Sequence, residues 1–432
     1  MIDTGIINMF YFYTIKSKAA VETIRVRLND MTVDPKILQK AVEKSVDRFY
    51  FFGLTPVLDE NGCVFFDKNT RPVEVYPDDG TFAYLGTADC NGYLFRVMYT
   101  DNTVGLSFFH AITDGRGSIA FLVSVLYHYL TLSGLDISSE GIICDVLPED
   151  GSERDILTDQ IPEKLDHEWA QMPGEVFVLP EENVLNKTPY TKKIDLCFPV
   201  KELLDKAKEY SATPLPLVSV LCGIAMDGVY DTQDKSIVSS VLVDMHDMQQ
   251  SRALSNYCCN VFLPLEGDVR RAGIQEAIDD QKRWMEKVNT PANLFGKLAE
   301  LKKMEPLIRK TPLNDPRYLM AAMKKDDNVG KAKATYFLTN VGKIRFPKDL
   351  MKYIDIDECD FNSMNAGSNP IVSLMSIGDK GHIYVTQNFE STAFAESLCK
   401  VLNDNGISAV YTDCGQIRAD SVDPARFAKA VC

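Results

Sequence analysis

The stretch from Leu106 to Ala120, LSFFHAITDGRGSIA, constrains this chain most, because its pattern changes from strand to helix within a few residues. Residues 103–109 are β-branched and aromatic and follow a turn-like Asp-Asn pair, which predicts a buried strand. Apolar residues then recur at helical spacing over 118–132, which predicts a helix. The loop between them begins with His110, so the sequence places a histidine at a strand end, where side chains are available for chemistry.

The residues of this loop indicate acid–base chemistry. His110 can hold or release a proton near neutral pH, as a general base for a hydroxyl or amine nucleophile must. Asp114 directly precedes Gly115, and three interpretations stay open: it caps the helix, orients the histidine, or forms an ion pair that holds the loop. A loop histidine without a catalytic role is the plainer interpretation of the same pattern.

Other chemistries fit this loop less well. Gly115-x-Gly117-x-x-Ala120 matches a dinucleotide-binding pattern, but His-Ala-Ile-Thr-Asp separates its first glycine from the strand. A metal site at His110 and Asp114 lacks a third ligand with recognisable spacing, so we expect no metal. Neither a Gly-x-Ser-x-Gly motif nor a neighbouring cysteine–histidine pair supports a hydrolase.

Composition limits the partners and the compartment. The net charge of −15 argues against nucleic acid, whose phosphates need clustered Lys and Arg. Eleven scattered cysteines without a Cys-x-x-Cys pair indicate reduced thiols. The N-terminus lacks a basic segment, and the apolar stretch at residues 6–13 is too short to span a membrane. We therefore expect a cytoplasmic protein with no targeting segment and no membrane insertion.

The length of 432 residues predicts two domains. We expect an N-terminal domain at 1–135, a proline-rich and acidic crossover at 136–190, and a C-terminal domain at 191–432 that repeats the strand and helix order of the first. Residues 167–169, His-Glu-Trp, fall in the crossover and suit either a packed anchor or an acceptor site. The fold class is α/β.

Several elements of the second half are also predicted. A long helix is expected from Gly273 to about Lys303, followed by a strand at 335–342 that ends in a polar turn. Residues 371–377 and 382–388 form a hairpin in this interpretation.

These features resemble the HxxxDG acyltransferase superfamily, which includes chloramphenicol acetyltransferase, alcohol acetyltransferases, plant BAHD enzymes and peptide-synthetase condensation domains. His110 and Asp114-Gly115 match the motif that names it. The strand at residues 23–28 and the helix from Pro35 also resemble the opening of the superfamily. Phe109 stands where condensation domains usually carry a further histidine, and the Asp-Phe-Gly-Trp-Gly signature of the BAHD branch is missing.

The resemblance implies two chloramphenicol-acetyltransferase-like domains, each a mixed sheet flanked by helices, with an active-site tunnel at their interface. It implies transfer of an acyl group from acyl-CoA, a co-substrate rather than a bound cofactor, to an alcohol or amine. His110 is then the general base and Asp114 a structural residue paired with an arginine. Thr339 and Asn340 resemble a Ser/Thr-Asn-x-Gly element that faces the histidine and would bind the oxyanion, although Asn-x-Gly is also an ordinary turn.

Some alternatives stay open at this stage. A condensation-type enzyme would use a carrier-protein thioester as its donor, and a binding protein would keep the fold without the chemistry. His246 lies in a region that resembles the superfamily's Asp-x-Arg segment, either facing the tunnel or bonded to loop backbone. Ten basic against five acidic residues between Lys297 and Lys333 form either a solvated helix face or a site for the phosphates of coenzyme A.

Overall fold

The computed structural model describes residues 2–5, 20–145, 151–163, 165, 174–180, 188, 190–313, 315, 334–363, 369–418 and 421–429. The apolar stretch at residues 6–13 and the predicted anchor or acceptor site at 167–169 lie outside the described residues.

The described strands, in chain order, are β1 (Val21–Leu28), β2 (Leu54–Leu58), β3 (Val64–Lys68), β4 (Val75–Pro77), β5 (Phe95–Tyr99), β6 (Thr103–Phe109), β7 (Tyr190–Pro199), β8 (Ile237–Asp244), β9 (Cys258–Leu265), β10 (Tyr336–Ile344), β11 (Ile354–Ser363), β12 (Ile371–Ile377), β13 (Lys380–Gln387), β14 (Val410–Arg418) and β15 (Ala428–Lys429). The helices are α1 (Pro35–Arg48), α2 (Gly115–Leu132), α3 (Val200–Glu209), α4 (Pro214–Asp227), α5 (His246–Gln249), α6 (Gly267–Ala272), α7 (Ile274–Val288), α8 (Pro291–Lys303), α9 (Glu305–Arg309) and α10 (Ala393–Asp404).

Within the described ranges the strands form two large sheets and one small one. The first sheet has the order β11-β1-β6-β5-β4, and the second has the order β14-β7-β13-β12-β10-β8-β9. The small sheet has the order β15-β2-β3. Both large sheets are mixed, because β4 is parallel to β5 in the first, and β10 is parallel to β8 and β12 in the second, whereas the other pairs are antiparallel.

The first sheet packs against α1 and α2 through an aromatic cluster. The rings of Phe52 and Phe121 stack with centroids 3.8 Å apart, and the edges of Phe49 and Phe95 meet the Phe121 ring. All four side chains are buried. Because burying a large apolar side chain stabilises by about 1.5–3 kcal/mol, this cluster fixes α2 firmly on the sheet.

Local sequence explains where α1 begins. The Asp34 side chain accepts hydrogen bonds from the backbone N–H groups of Lys36 and Ile37, and Pro35 occupies the first helical position. The predicted start of this helix is therefore observed.

A second core forms around α4 on the second sheet. This helix is buried on nearly all sides, as its apolar sequence predicts, with Leu217, Val218 and Leu221 among its most buried side chains. The two cores agree with the predicted two-domain α/β architecture of mixed sheets flanked by helices. The predicted hairpin is also present as β12 and β13, paired antiparallel.

Three features differ from the sequence predictions. The helix expected from Gly273 to about Lys303 is two helices, α7 and α8, because Thr290 caps a new start at Pro291. β10 continues to Ile344 through an irregularity after Asn340. β11 comes from the range 191–432 but joins the first sheet beside β1, so the sheets do not follow the ranges 1–135 and 191–432 strictly.

No single described helix is long and apolar enough to cross a membrane on its own. α3 and α4 together pass that test of length and composition, but they are bent by 92° at their junction.

Candidate active site

The predicted strand, loop and helix around His110 are all present. β6 ends at Phe109 and α2 begins at Gly115, three residues before the start that apolar spacing alone predicts. The helix begins earlier because the Asp114 side chain accepts hydrogen bonds from the N–H groups of Arg116 (3.0 Å) and Gly117 (3.2 Å). The loop is thus tightly held between two regular elements.

The side chain of His110 lies beside a carboxylate that the sequence analysis missed. His110 continues the alternation of Leu106 and Phe108, and Glu22 of β1 is opposite Phe108 in the sheet. His110 Nε2 is 3.7 Å from Glu22 Oε1, and the two side chains are 12% and 13% exposed. One feature of the sequence could have revealed Glu22. It shares its strand face with the buried Ile24, so an apolar residue is expected at its position.

The described partners of Asp114 are backbone N–H groups. Besides the two hydrogen bonds that cap α2, its Oδ2 atom accepts one from the backbone N–H of Tyr257 at 3.0 Å. Among the described residues no arginine forms an ion pair with this carboxylate. The expected arginine partner is not found among the described residues: backbone N–H groups bind both carboxylate oxygens, and the interpretation as a helix cap is the one observed.

Residues 253–257 cross over the motif loop, and we call this segment the strap. The Thr113 hydroxyl donates to the carbonyl oxygen of Leu254 at 2.8 Å. The side-chain amide of Asn256 donates to the carbonyl oxygen of His110 at 2.6 Å. Together with the bond from Tyr257 to Asp114, these contacts hold the catalytic candidate from a segment far away in sequence, which no local pattern reveals.

Close packing with the strap requires a glycine at position 117, but not at the predicted Gly115. A Cβ atom added at Gly115 meets nothing within 4 Å, whereas one at Gly117 is 2.0 Å from Thr113 Oγ1 and 2.4 Å from Leu254 O. Gly115 follows the helix cap, and its role in catalysis stays a prediction from the motif. The steric need for glycine lies at Gly117.

His246 does not take part in the site. Its ring is buried, with Nδ1 against the Asp244 carboxylate and Nε2 3.1 Å from the carbonyl oxygen of Ala253. Both partners are acceptors, so both ring nitrogens are used in holding the loop and the strap. Burial alone would raise the pKa of the Asp244 carboxyl, but the hydrogen bonds from the His246 side chain and backbone outweigh it and lower that pKa. The interpretation as a loop-bonded histidine is the one observed.

Several acidic groups act on the thiol of Cys258. Cys258, the first residue of β9, is paired with Asp244. Burial raises the pKa of its thiol well above the ordinary value, and the nearby Asp114, Cys259, Asp244 and Glu22 raise it further. The thiol is therefore protonated at neutral pH and is not a nucleophile.

Thr339 and Asn340 lie on β10, at the irregularity after Asn340. Thr339 is half-buried and is paired with Ser373 of β12. The exposed Asn340 accepts a hydrogen bond from the Gly342 N–H at 3.0 Å, which is the geometry of an ordinary turn. No described contact joins either residue to His110, so their role at the oxyanion stays a prediction.

The basic segment is only partly described. Lys302 is 2.9 Å from the Asp159 carboxylate, Lys303 pairs with Glu300, and Arg309 pairs with Glu305. These three cations are engaged on the protein surface, which agrees with the solvated helix face. Most of residues 314–333 lie outside the described ranges. No group of three or more His, Cys, Asp or Glu in the described ranges is arranged to hold a metal ion.

The chain was compared with known protein families, sequences and structures. No protein-family model matches the chain, and no curated protein sequence matches it. Solved structures do. The trichothecene 15-O-acetyltransferase TRI3 of Fusarium sporotrichioides matches with a TM-score of 0.59 at 10% identity, over 93% of each chain. The epimerization domain from the third module of tyrocidine synthetase B matches with a TM-score of 0.58 at 12% identity, over 94% of this chain and 96% of that one.

A third match is TRI101 of F. sporotrichioides, whose structure is a complex with coenzyme A and T-2. It has a TM-score of 0.57 at 10% identity and covers 95% of this chain and 99% of that one. This chain therefore has the fold of the acyltransferase and condensation-domain superfamily. The side chain of Phe109, which the resemblance places where condensation domains carry a further histidine, is completely buried.

Proposed function

We propose that this protein is an acyltransferase that moves an acyl group from acyl-CoA to the hydroxyl or amine of a small-molecule acceptor. The observation that carries the proposal is the placement of His110 at the end of β6, with Nε2 beside a carboxylate and the backbone of its loop clamped by the strap. A clamped loop supports general-base catalysis because the base must stay within hydrogen-bond reach of the nucleophile.

The mechanism is a direct transfer in a ternary complex. His110 takes the proton as the acceptor attacks the thioester carbonyl, and then gives it to the departing thiolate. The carbon–sulfur bond breaks as the tetrahedral intermediate collapses, so no covalent acyl-enzyme forms. In this proposal Thr339 and Asn340 line a tunnel between the domains and donate to the oxyanion, where each donor is worth about 2.7–4 kcal/mol. Asp114 positions the loop through its hydrogen bonds to backbone N–H groups.

No permanently bound cofactor is needed, since acyl-CoA enters as a co-substrate. The complex of TRI101 with coenzyme A supports this part of the proposal. We also propose a cytoplasmic location, because the cysteines in the described part of the chain are all free.

A condensation-type enzyme is the second candidate. The match to the epimerization domain is as good as the match to TRI3. A condensation-type enzyme would take its acyl group from a carrier-protein thioester. A protein that binds ligands without chemistry is the third candidate.

Mass spectrometry of acylated products separates these candidates. Acetyl-CoA, longer acyl-CoAs and an acylated carrier protein are offered with a panel of alcohols and amines, to the wild type and to His110→Ala. We expect a product from acyl-CoA that falls about 10²- to 10⁴-fold in the variant. A product from the carrier thioester alone would favour the condensation enzyme, and no product from the folded protein would favour the binding protein.

A further inference from the structure

A buried ion pair joins the end of α1 to the crossover segment. The two terminal nitrogens of the Arg48 guanidinium donate to the Glu153 carboxylate, Nη1 to Oε2 at 2.6 Å and Nη2 to Oε1 at 2.8 Å. The two side chains are 7% and 5% exposed. Two parallel hydrogen bonds fix the direction as well as the distance between the partners. The pair therefore sets where the short helical turn Ser152–Arg154, here called the crossover turn, lies against α1.

The crossover turn has a second contact with the residues that follow α1. The guanidinium group of Arg154 lies over the ring of Tyr50, with its central carbon 4.2 Å from the ring centre. Such a cation is attracted to the face of an aromatic ring. Glu153 and Arg154 thus bind residues on both sides of the end of α1, so the crossover turn is fixed at two points.

The backbone of the crossover turn binds the strap. The N–H of Leu254 donates to the carbonyl oxygen of Glu153 at 3.2 Å, and the hydroxyl of Ser255 donates to that of Asp155 at 3.4 Å. On its other side Leu254 accepts, through its own carbonyl oxygen, the hydrogen bond from Thr113 of the motif loop. Leu254 is therefore held between the crossover turn and the motif loop.

Stability alone does not explain a charged pair at this place. The cost of taking two charges out of water offsets most of their attraction, so apolar side chains of the same volume stabilise a core as much or more. What apolar side chains lack is direction, because they pack in several arrangements, whereas a bidentate pair has one. The pair therefore contributes a defined position of the crossover turn.

We propose that Arg48 and Glu153 are positioning residues for His110, which act through the crossover turn and the strap. This inference rests on the proposed acyltransferase function, in which His110 is the general base. Neither side chain touches the substrate. They fix the strap, whose Asn256 amide donates to the His110 carbonyl oxygen. A displaced strap moves the base away from the attacking nucleophile, which slows proton transfer and leaves the affinity for both substrates unchanged.

Glu153→Gln tests the inference through the kinetics of acyl transfer. Glutamine keeps the size of the side chain but breaks the bidentate pair, because its NH₂ group cannot accept from the guanidinium of Arg48. At a temperature at which the variant is folded, we expect kcat to fall about tenfold while KM for acyl-CoA and for the acceptor stays within about twofold of the wild type. An unchanged kcat would overturn the inference.

Asp227→Asn is the matched control. It weakens another ion pair of a buried arginine, in which Arg270 of α6 lies 3.3 Å from the carboxylate at the end of α4. None of the described contacts of that pair involves the strap. We expect this variant to unfold at a lower temperature and to keep the wild-type kcat. Equal losses of kcat in the two variants would show that only general stability matters and would contradict the positioning role.

Arg48→Lys separates the geometry of the pair from its charge. Lysine keeps a positive charge beside the buried carboxylate but lacks the planar fork that makes two parallel hydrogen bonds. We expect kcat to fall about 3- to 10-fold, the worth of one hydrogen bond. A wild-type kcat in this variant would show that a positive charge is sufficient, and the role assigned to the bidentate geometry would be wrong.

Hydrogen exchange follows the strap without any reaction. Peptides that cover residues 110–117 and 253–257 are compared between Glu153→Gln and Asp227→Asn, each at the same interval below its unfolding temperature. We expect exchange about fivefold faster in Glu153→Gln. Equal exchange would overturn the inference whether or not acyl transfer is found. If the wild type transfers no acyl group, the acyltransferase proposal fails instead, and faster exchange would still establish the link from the ion pair to the strap.

Discussion

Two histidines follow strand ends in the two large sheets, and their surroundings differ. His110, after β6, keeps Nε2 beside a carboxylate at 3.7 Å and is 12% exposed. His246, after β8, is buried, with one ring nitrogen against Asp244 and the other against the carbonyl oxygen of Ala253. A histidine whose nitrogens both hold the fold has none left for a substrate, so we expect only His110 of the two to act in the reaction. The strap joins the two, because it accepts from His246 at Ala253 and donates to His110 from Asn256.

The largest loss of stability is expected from a substitution at the contact between the strap and α2. Gly117→Ala places a Cβ atom 2.4 Å from the backbone oxygen of Leu254, which cannot move without displacing the strap. We expect a loss of about 3 kcal/mol in the free energy of unfolding, measured with urea. Gly115→Ala, whose Cβ meets nothing within 4 Å, is the control and changes this free energy by less than about 1 kcal/mol. Equal effects of the two substitutions would contradict the close contact.

A smaller loss of stability is expected from His246→Gln. Glutamine keeps at most one of the two buried hydrogen bonds, so the free energy of unfolding falls by about 1–3 kcal/mol. Acyl transfer measured well below the unfolding temperature changes little. If this variant lost turnover while it kept full stability, His246 would belong to the reaction and the distinction between the two histidines would fail.

Asn256→Ala tests the positioning of His110. Removal of the amide that donates to the His110 carbonyl oxygen at 2.6 Å frees the loop, and we expect kcat to fall about tenfold at nearly constant KM for acyl-CoA. Asn61→Ala, in an exposed turn between β2 and β3, is the matched control. An unchanged kcat in Asn256→Ala would show that the strap is not needed to position the base.

The smallest effect is expected in the pH dependence of stability. The pKa of Asp244 is lower in the folded protein than in the unfolded chain, so its contribution is present above the unfolded value of about 3.9. The contribution is lost as the pH falls through the lower, folded value. Urea unfolding between pH 6 and acidic pH should therefore show a steeper loss in the wild type than in Asp244→Asn. Identical slopes would mean that the pair with His246 does not stabilise the fold.

The elements around His110 could be predicted because their signals are local. The strand and helix on either side of the loop follow from periodicity, and the start of α1 follows from the Asp34 and Pro35 pair. The start of α8 also had a local signal, the pair Thr290 and Pro291. The prediction missed it because apolar residues continue at helical spacing on both sides of this pair.

The contacts that complete the site could not be predicted in the same way. The bonds from Asn256 to His110 and from Tyr257 to Asp114 join residues that are far apart in the chain and have no shared periodicity. The arginine expected for Asp114 came from the resemblance, whereas this chain satisfies the carboxylate with backbone N–H groups. Glu22 was recognisable only as a charge on an apolar strand face.

The most direct test of the account compares the same substitution at the two histidines. Acylated product is measured for His110→Gln and His246→Gln with one acyl-CoA and one acceptor, at a temperature at which both variants are folded. We predict that His110→Gln loses about 10²- to 10⁴-fold in kcat/KM while His246→Gln stays within about threefold of the wild type. Full turnover in His110→Gln would contradict the assignment of His110 as the general base.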